Sequence, residues 1–276
     1  MTDGFAPRPE AASPLPLVSS DDVVARLSLD LTADALASPV LAFDADGTLW
    51  SGDIGVDTFE ALLEDRAVRS EAAGALIAEA ARWGVRTPPS GDPTEVARAL
   101  YEALENGTFP ENRAFEMMAW IFAGFSESDV RSFAEKVVRR VALAERLHQE
   151  VLPIVGWATE RSLPVLVISA SPTLVVRTAI ERLGVRAERV VGMSAPIEHG
   201  VIAPRLEGTP TYGAGKVAAL REAAGQRTVL GAFGDSAYDL PMLAEARVAV
   251  AVRPKPELRA RAAACPGLVE LAPRIS

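Results

Sequence analysis

VLAFDADGTLW, residues 40–50, is the stretch from which the rest of this chain is best read outward. Four apolar residues, Val40 to Phe43, run as a fully buried strand runs. They stop at Asp44, Ala45 and Asp46, and Gly47 and Thr48 then turn the chain away. Residues two apart along an extended chain point to the same side roughly 7 Å apart, so Asp44 and Asp46 can face one small ligand at a sheet edge, with room for one phosphoryl group. Two solvated acids in a loop would carry the same letters, and the other strand ends of the chain have to separate the two readings.

The chain has 276 residues, 49% of them hydrophobic and 24% charged, enough for one large domain or for a core with an inserted second one. A formal charge of -9 argues against a nucleic-acid partner, whereas a small anion needs only a local site. Cys265 is the single cysteine, so neither an internal disulfide nor a thiolate-rich zinc cluster is available. His148 and His199 are the two imidazoles, which leaves carboxylate chemistry and a hard cation such as magnesium. Residues 1–20, rich in Pro, Ser and Ala, lack a basic segment followed by an apolar core and read as a disordered or loosely packed arm, not a secretory signal. No apolar run reaches the roughly 18 residues of a membrane span. The expectation is a cytoplasmic protein with no membrane partner. Asp21 to Ala37 is amphipathic and predicts one or two helices outside the fold.

From Ser51 to Val151 the pattern is helical. Asp57–Glu64, Ser70–Trp83, Pro93–Glu105, Arg113–Phe122 and Ser126–Leu147 carry apolar residues at three- and four-residue spacing. Ser126 stands three before Asp129 as in a capping box, and Gly91, Asp92, Pro93 read as a turn feeding a helix. From Pro153 helices and strands alternate: Val155–Arg161, Pro164–Ile168, Thr173–Leu183, Arg189–Met193, Lys216–Ala224, Thr228–Phe233, Leu240–Ala246 and Val248–Val252. That alternation predicts a doubly wound α/β fold, a mostly parallel sheet covered on both faces and joined by the strand at 40–43. The expected division is a discontinuous core, 21–52 and 150–276, with a helical cap at 53–149. Ligands of such sheets bind beyond the carboxyl ends of the strands.

Those strand ends carry chemistry. Pro164–Ile168 ends in Ser169, Ala170, Ser171, Pro172, where Ser171 is placed as a helix N-cap with Pro172 at the first helical position, leaving N–H groups aimed toward Ser169. Ser169 could equally just end a strand. Thr228–Phe233 ends in GDSAYD, whose Asp235 and Asp239 form a second acidic pair. Two acidic pairs at one edge repel unless a divalent cation lies between them. Taken alone, Asp235 and Asp239 also suit capping and solvation. Lys occurs at 136, 216 and 255 against many Arg, so the ammonium of Lys216 is a candidate point charge beside a phosphate.

Together DADGT (44–48), VISAS (167–171), Lys216 and GDSAYD (234–239) resemble the haloacid dehalogenase-like superfamily, and within it the phosphoserine phosphatase-like branch; Ala195–Gly208, turning at Glu198, His199, Gly200, looks like the hairpin of that branch. The resemblance covers about residues 39–256. It implies a magnesium-dependent phosphomonoesterase acting on a small phosphorylated metabolite. Asp44 would be the nucleophile, forming an aspartyl-phosphate, and Asp46 the general acid and then base. Asp44, Asp235 and the backbone carbonyl of Asp46 would hold Mg2+, with Asp239 in support. Gly47, Ser169, Ala170 and Lys216 would bind the phosphoryl group.

The chain departs from that branch at Tyr238, where Asn is common, and at Asp53, where phosphoserine phosphatases have Glu. Asp53 suits either an amine on the substrate or the cap of a helix. Substrate choice is expected in the helical cap, with Trp50, Phe59, Arg113, Glu116, Met117 and Trp120 as residues that either face it or pack the core. Haloalkanoate dehalogenation does not need the second acid that Asp46 supplies. A phosphomutase shares all the core motifs and stays open, as does a non-catalytic phosphate-binding protein, although the latter should lack one of Asp44, Asp46, Lys216 or Asp235. The oligomeric state is not legible.

Overall fold

The computed structural model describes residues 15–33 and 38–274. The arm expected over 1–20 lies outside the described residues for positions 1–14, as does the end of the amphipathic segment, 34–37. Strand β1 (Leu17–Val18) and helix α1 (Ser20–Ala33) precede β2 (Val40–Phe43). Six helices follow before the next strand: α2 (Ile54–Glu64), α3 (Ala73–Arg82), α4 (Pro93–Glu105), α5 (Glu111–Trp120), α6 (Glu127–Arg140) and α7 (Leu152–Glu160). The chain then returns through β3 (Val165–Pro172), α8 (Thr173–Arg182), β4 (Arg189–Met193), a hairpin of β5 (Ile197–Glu198) and β6 (Val201–Ile202), α9 (Ala214–Ala224) and β7 (Val229–Gly234). It finishes with α10 (Leu240–Leu243), β8 (Val248–Val252), α11 (Pro256–Ala260) and β9 (Val269–Leu271).

The main sheet has the order β1-β9-β8-β7-β2-β3-β4, every neighbour parallel. Both faces are covered, as the apolar run of β2 requires. Leu41 and Phe43 enter one core with Val165, Val167, Phe233 and Val250, while Val40 and Ala42 enter the other with Leu166, Ile168, Leu220 and Leu243. The first core continues into the helical segment through Phe59, Leu76, Leu100, Met117 and Val130, so the helices between β2 and β3 share apolar packing with the sheet.

Three expectations change. Leu17 and Val18, inside the supposed loose arm, form an edge strand in register with Glu270 and Leu271; two residues are too short to carry a period. The helix expected from Ser126 to Leu147 ends at Arg140, because Ala142 turns into the left-handed region at φ 49. Its start is as read, with Ser126 and Asp129 capping each other's backbone N–H. Ser171 is not the N-cap of α8. Strand β3 runs on through Pro172, which pairs with Met193 and occupies the cap position itself, freeing the Ser171 hydroxyl for another partner. The expected hairpin is present, with His199 and Gly200 both at positive φ in its turn.

Candidate active site

Strands β2 and β7 are neighbours with Phe43 opposite Phe233, and the two rings stack at 4.2 Å and 5°. The Asp44 N–H donates to the Phe233 carbonyl at 2.9 Å, so β2 delivers Asp44 where β7 is about to deliver Asp235. Asp44, Asp235 and Asp239 are all buried and bring one carboxylate oxygen each within 4.8 Å of one another. Asp44 and Asp235 open into one cavity of about 550 Å³. Carboxylates distant in sequence thus converge on one place.

Gly47 makes this approach possible. At φ 80, a Cβ on this residue would stand 2.2 Å from Asp235 Oδ2. Lys216, in the first turn of α9 and buried, donates through Nζ to Asp44 Oδ1 at 2.5 Å and to Asp239 Oδ1. Thr48 Oγ1 donates to the other oxygen of Asp44 at 3.0 Å. Asp239 is oriented from behind: its Oδ2 accepts from the N–H groups of Asp235 at 3.0 Å and Ser236 at 2.8 Å and from the Ser236 hydroxyl at 2.9 Å. Lys255, to which the sequence alone assigned no role, places Nζ 2.9 Å from Asp235 Oδ2. Its signal was available, since residues 253–256, RPKP, put charge at the end of β8 just as charge stands at the ends of β2 and β7.

Asp46 turns to the other side. Its Oδ1 accepts from Trp50 Nε1 at 2.9 Å and from the Ile54 N–H at 2.8 Å, at the start of α2. Its Oδ2 accepts from Ser171 Oγ at 2.7 Å, with Ser169 Oγ at 3.4 Å. The Asp46 side chain is therefore not among the three clustered carboxylates, whatever its carbonyl does. Ser169 Oγ accepts from the Ser171 N–H at 3.0 Å, and Ser169 and Ala170 both line the cavity. Asp53 caps α2, its Oδ1 accepting from the Val56 N–H at 2.9 Å and from Ser171 Oγ at 3.3 Å, and it also lines the cavity.

The helical wall is corrected in phase. Glu111, Phe115 and Met118 of α5 face the cavity, spaced four and three apart. Arg113 and Met117 lie on a different stripe of the same helix: Arg113 is held by Glu79 and Glu116, and Met117 is core. Trp50 is also core, reaching the site through its hydrogen bond to Asp46. Phe59, Glu116 and Trp120 are likewise buried and outside the lining. Tyr212, Tyr238, Glu257 and Arg261 complete the mouth, and none of them stands out in the sequence as a substrate contact. Tyr238 turns outward and donates to Glu111 Oε2 at 3.0 Å, tying the loop after β7 to α5.

Burial pushes the carboxyls up. Asp44 rises to about 7, burial outweighing Lys216 and reinforced by the charge of Asp239; Asp235 rises to about 7 from burial and from Asp44 and Asp239. Asp46 rises to about 7 from burial and the neighbouring charge of Asp53, against its hydrogen bonds. Burial alone would raise Asp239, but Lys216 and the donors of Ser236 hold it below the ordinary value. Three all-oxygen donors fit a hard divalent cation, which would relieve the repulsion that raises Asp44 and Asp235. The Gly47 backbone fits the same group, because any side chain there would push Asp235 out of the cluster.

The family model for haloacid dehalogenase-like hydrolases matches residues 41–244. A phosphoserine phosphatase of Mycobacterium tuberculosis, SerB1, is 31% identical over 139 residues, 46% of this chain and 44% of that one. The chain spans less than half the length of the curated relatives it matches. Among solved structures, a protein of unknown function from Bordetella pertussis superposes with a TM-score of 0.62 at 21% identity, covering 86% of this chain and 99% of that one. A probable phosphoserine phosphatase from Vibrio cholerae superposes with a TM-score of 0.52 at 18% identity, covering 85% and 61%. At these identities the superpositions establish the fold alone. Among the described residues, no helix is long and apolar enough to cross a membrane.

Proposed function

The chain belongs to the haloacid dehalogenase-like hydrolases, and from that premise we propose that it is a magnesium-dependent phosphomonoesterase working through an aspartyl-phosphate on Asp44. The observation that carries this reading is the convergence of Asp44, Asp235 and Asp239 around one point, with Lys216 bridging Asp44 and Asp239, with Asp44, Asp235 and Lys216 opening into one cavity, and with Asp46 beside them on a separate hydrogen-bond network.

In the proposed cycle an oxygen of Asp44 attacks phosphorus while the bond to the leaving alkoxide breaks. Asp46 gives that alkoxide its proton, then takes one from the water that hydrolyses the acyl phosphate. A carboxyl raised to about 7 can hold a proton near neutral pH, and the hydrogen bonds from Trp50, Ile54 and Ser171 fix where it is presented. Lys216 and Ser169 neutralise and position the phosphoryl oxygens, which dominates the energetics of phosphoryl transfer. Asp44 and Asp235, with Asp239 in support, would hold magnesium, which would supply charge neutralisation for the phosphoryl group. Helices α2 to α6, within the cap expected at 53–149, act as a lid that excludes water, α5 presenting Phe115 and Met118 to the leaving group. On walls that also carry Lys255 and Arg261, Asp53 is the carboxylate beside Asp46 and Ser171 that would meet a cationic group such as an amine on a small ester.

The test is hydrolysis of a generic aryl phosphate by purified protein with Mg2+. Asp44→Asn abolishes it while far-UV circular dichroism is unchanged, and acid quenching traps phosphate on a peptide containing residue 44. Unchanged turnover in that variant refutes the assignment.

A further inference from the structure

Two ammonium groups serve the three clustered carboxylates, and they are held differently. Lys216 is buried and bridges Asp44 and Asp239, so it is a fixed part of the cluster. Lys255 reaches in from the turn after β8, its N–H anchored on the Asp235 carbonyl at 2.8 Å, while its side chain stays 59% exposed and, among the described residues, its Nζ forms an ion pair with Asp235. Lys255 also lines the cavity, so its ammonium has space to leave the carboxylate without disturbing the core. With the three carboxylates ionised, as a bound cation requires, and both ammoniums in place, the cluster carries one net negative charge, and a divalent cation entering beside them makes it net positive. Removing Lys255 brings the same loaded cluster to neutrality.

We infer that Lys255 competes with the divalent cation for Asp235 and thereby sets how tightly this site holds metal. This rests on the reading of Asp44, Asp235 and Asp239 as the cation site. The oxygen that Lys255 engages, Oδ2, is the one packed against Gly47, so this carboxylate has little freedom to rotate and offer itself elsewhere. Carboxylate oxygen shared between an ammonium and a metal is bound less strongly by each. Lys255 is a tuning residue for the metal, separate from Lys216, which grips the phosphoryl group in the proposed reaction.

Calorimetric titration of the whole protein with MgCl2, without substrate, tests this. Lys255→Met removes the charge and keeps the unbranched stem of the side chain up to the position of Cε, and it tightens Mg2+ by about tenfold at low salt, the scale for one charge removed a few ångströms away in a partly screened site. Lys255→Arg stays within about twofold of the parent protein, because the cation is retained. Mg2+-induced thermal stabilisation moves in the same order. Unchanged or weaker Mg2+ binding in Lys255→Met overturns the inference. Asp235→Asn separates the two levels. If it abolishes Mg2+ binding while Lys255→Met equals the parent, only the role of Lys255 falls; if it binds as the parent does, the cation site is elsewhere and both readings fall.

Discussion

Ser171 Oγ donates to Asp46 Oδ2 at 2.7 Å, and the neighbouring Ser169 Oγ stands farther off at 3.4 Å. The serine two residues after the motif position is therefore the one that positions the second acid. Ser171→Ala lowers kcat for aryl phosphate by roughly tenfold with KM little changed, part of the range that a positioned general acid contributes. Steady-state kinetics beside Ser169→Ala check this, since the latter, at the proposed phosphoryl position on the cavity wall, raises KM as well.

Gly47→Ala sets a Cβ 2.2 Å from Asp235 Oδ2 on backbone at φ 80. The expected result is a loss of about 1–3 kcal/mol of stability from the backbone alone. Mg2+ binding weakens with it, because Asp235 must move aside. Thermal melts and calorimetry on the one variant read both.

Adjacent methionines of α5 separate core from wall. Met117→Ala costs about 2–5 kcal/mol as a buried truncation and leaves substrate preference alone. Met118→Ala and Phe115→Ala instead shift kcat/KM between leaving groups of different size. A substrate panel and denaturant melts tell them apart.

Asp53 has a cap to hold and a cavity to face. Asp53→Ala loses about 1 kcal/mol with the N-cap of α2. Asp53→Asn keeps the cap and removes the charge. A fall in the preference for amine-bearing over amine-free phosphate esters in the Asn variant, at parental stability, supports the proposed substrate class; an unchanged ratio assigns Asp53 to structure.

Glu79 accepts from Arg113 Nε at 2.7 Å and Nη2 at 3.0 Å, with Trp83 Nε1 at 3.1 Å. The hydrogen bonds from Arg113 outweigh burial and hold its carboxyl below the ordinary 4.5. A depressed folded-state value means stability that is present above the ordinary pKa and lost as pH falls through the folded one. The contribution of Glu79 is therefore lost below about pH 4.5. Glu79→Gln is less stable at neutral pH and loses less on acidification, measured by chemical denaturation across that range.

The Asp44–Thr48 turn, the Asp235 and Asp239 pair and Lys216 were legible in the chain because each is a local pattern: an apolar run ending in charge, or a lysine opening a helix. The helix-strand alternation likewise gave the parallel sheet, since 3.6- and 2-residue periods survive in the letters over a dozen residues. The pairing of β1 with β9 left no such trace, and neither did the hand-over of Ser171 from helix cap to acid partner, which depends on where β3 stops pairing with β4.

Which residues meet was decided in three dimensions. Phe43 opposite Phe233 sets Asp44 beside Asp235 across nearly two hundred positions of chain, and the same packing brings in Lys255 from a third strand end. On α5 a shift in rotational phase moved the cavity face from Arg113 and Met117 to Glu111, Phe115 and Met118. Sequence fixes the period of an amphipathic helix but not its rotation when apolar residues occupy both the core stripe and the wall, because burial against a protein core and burial against a pocket call for the same side chains.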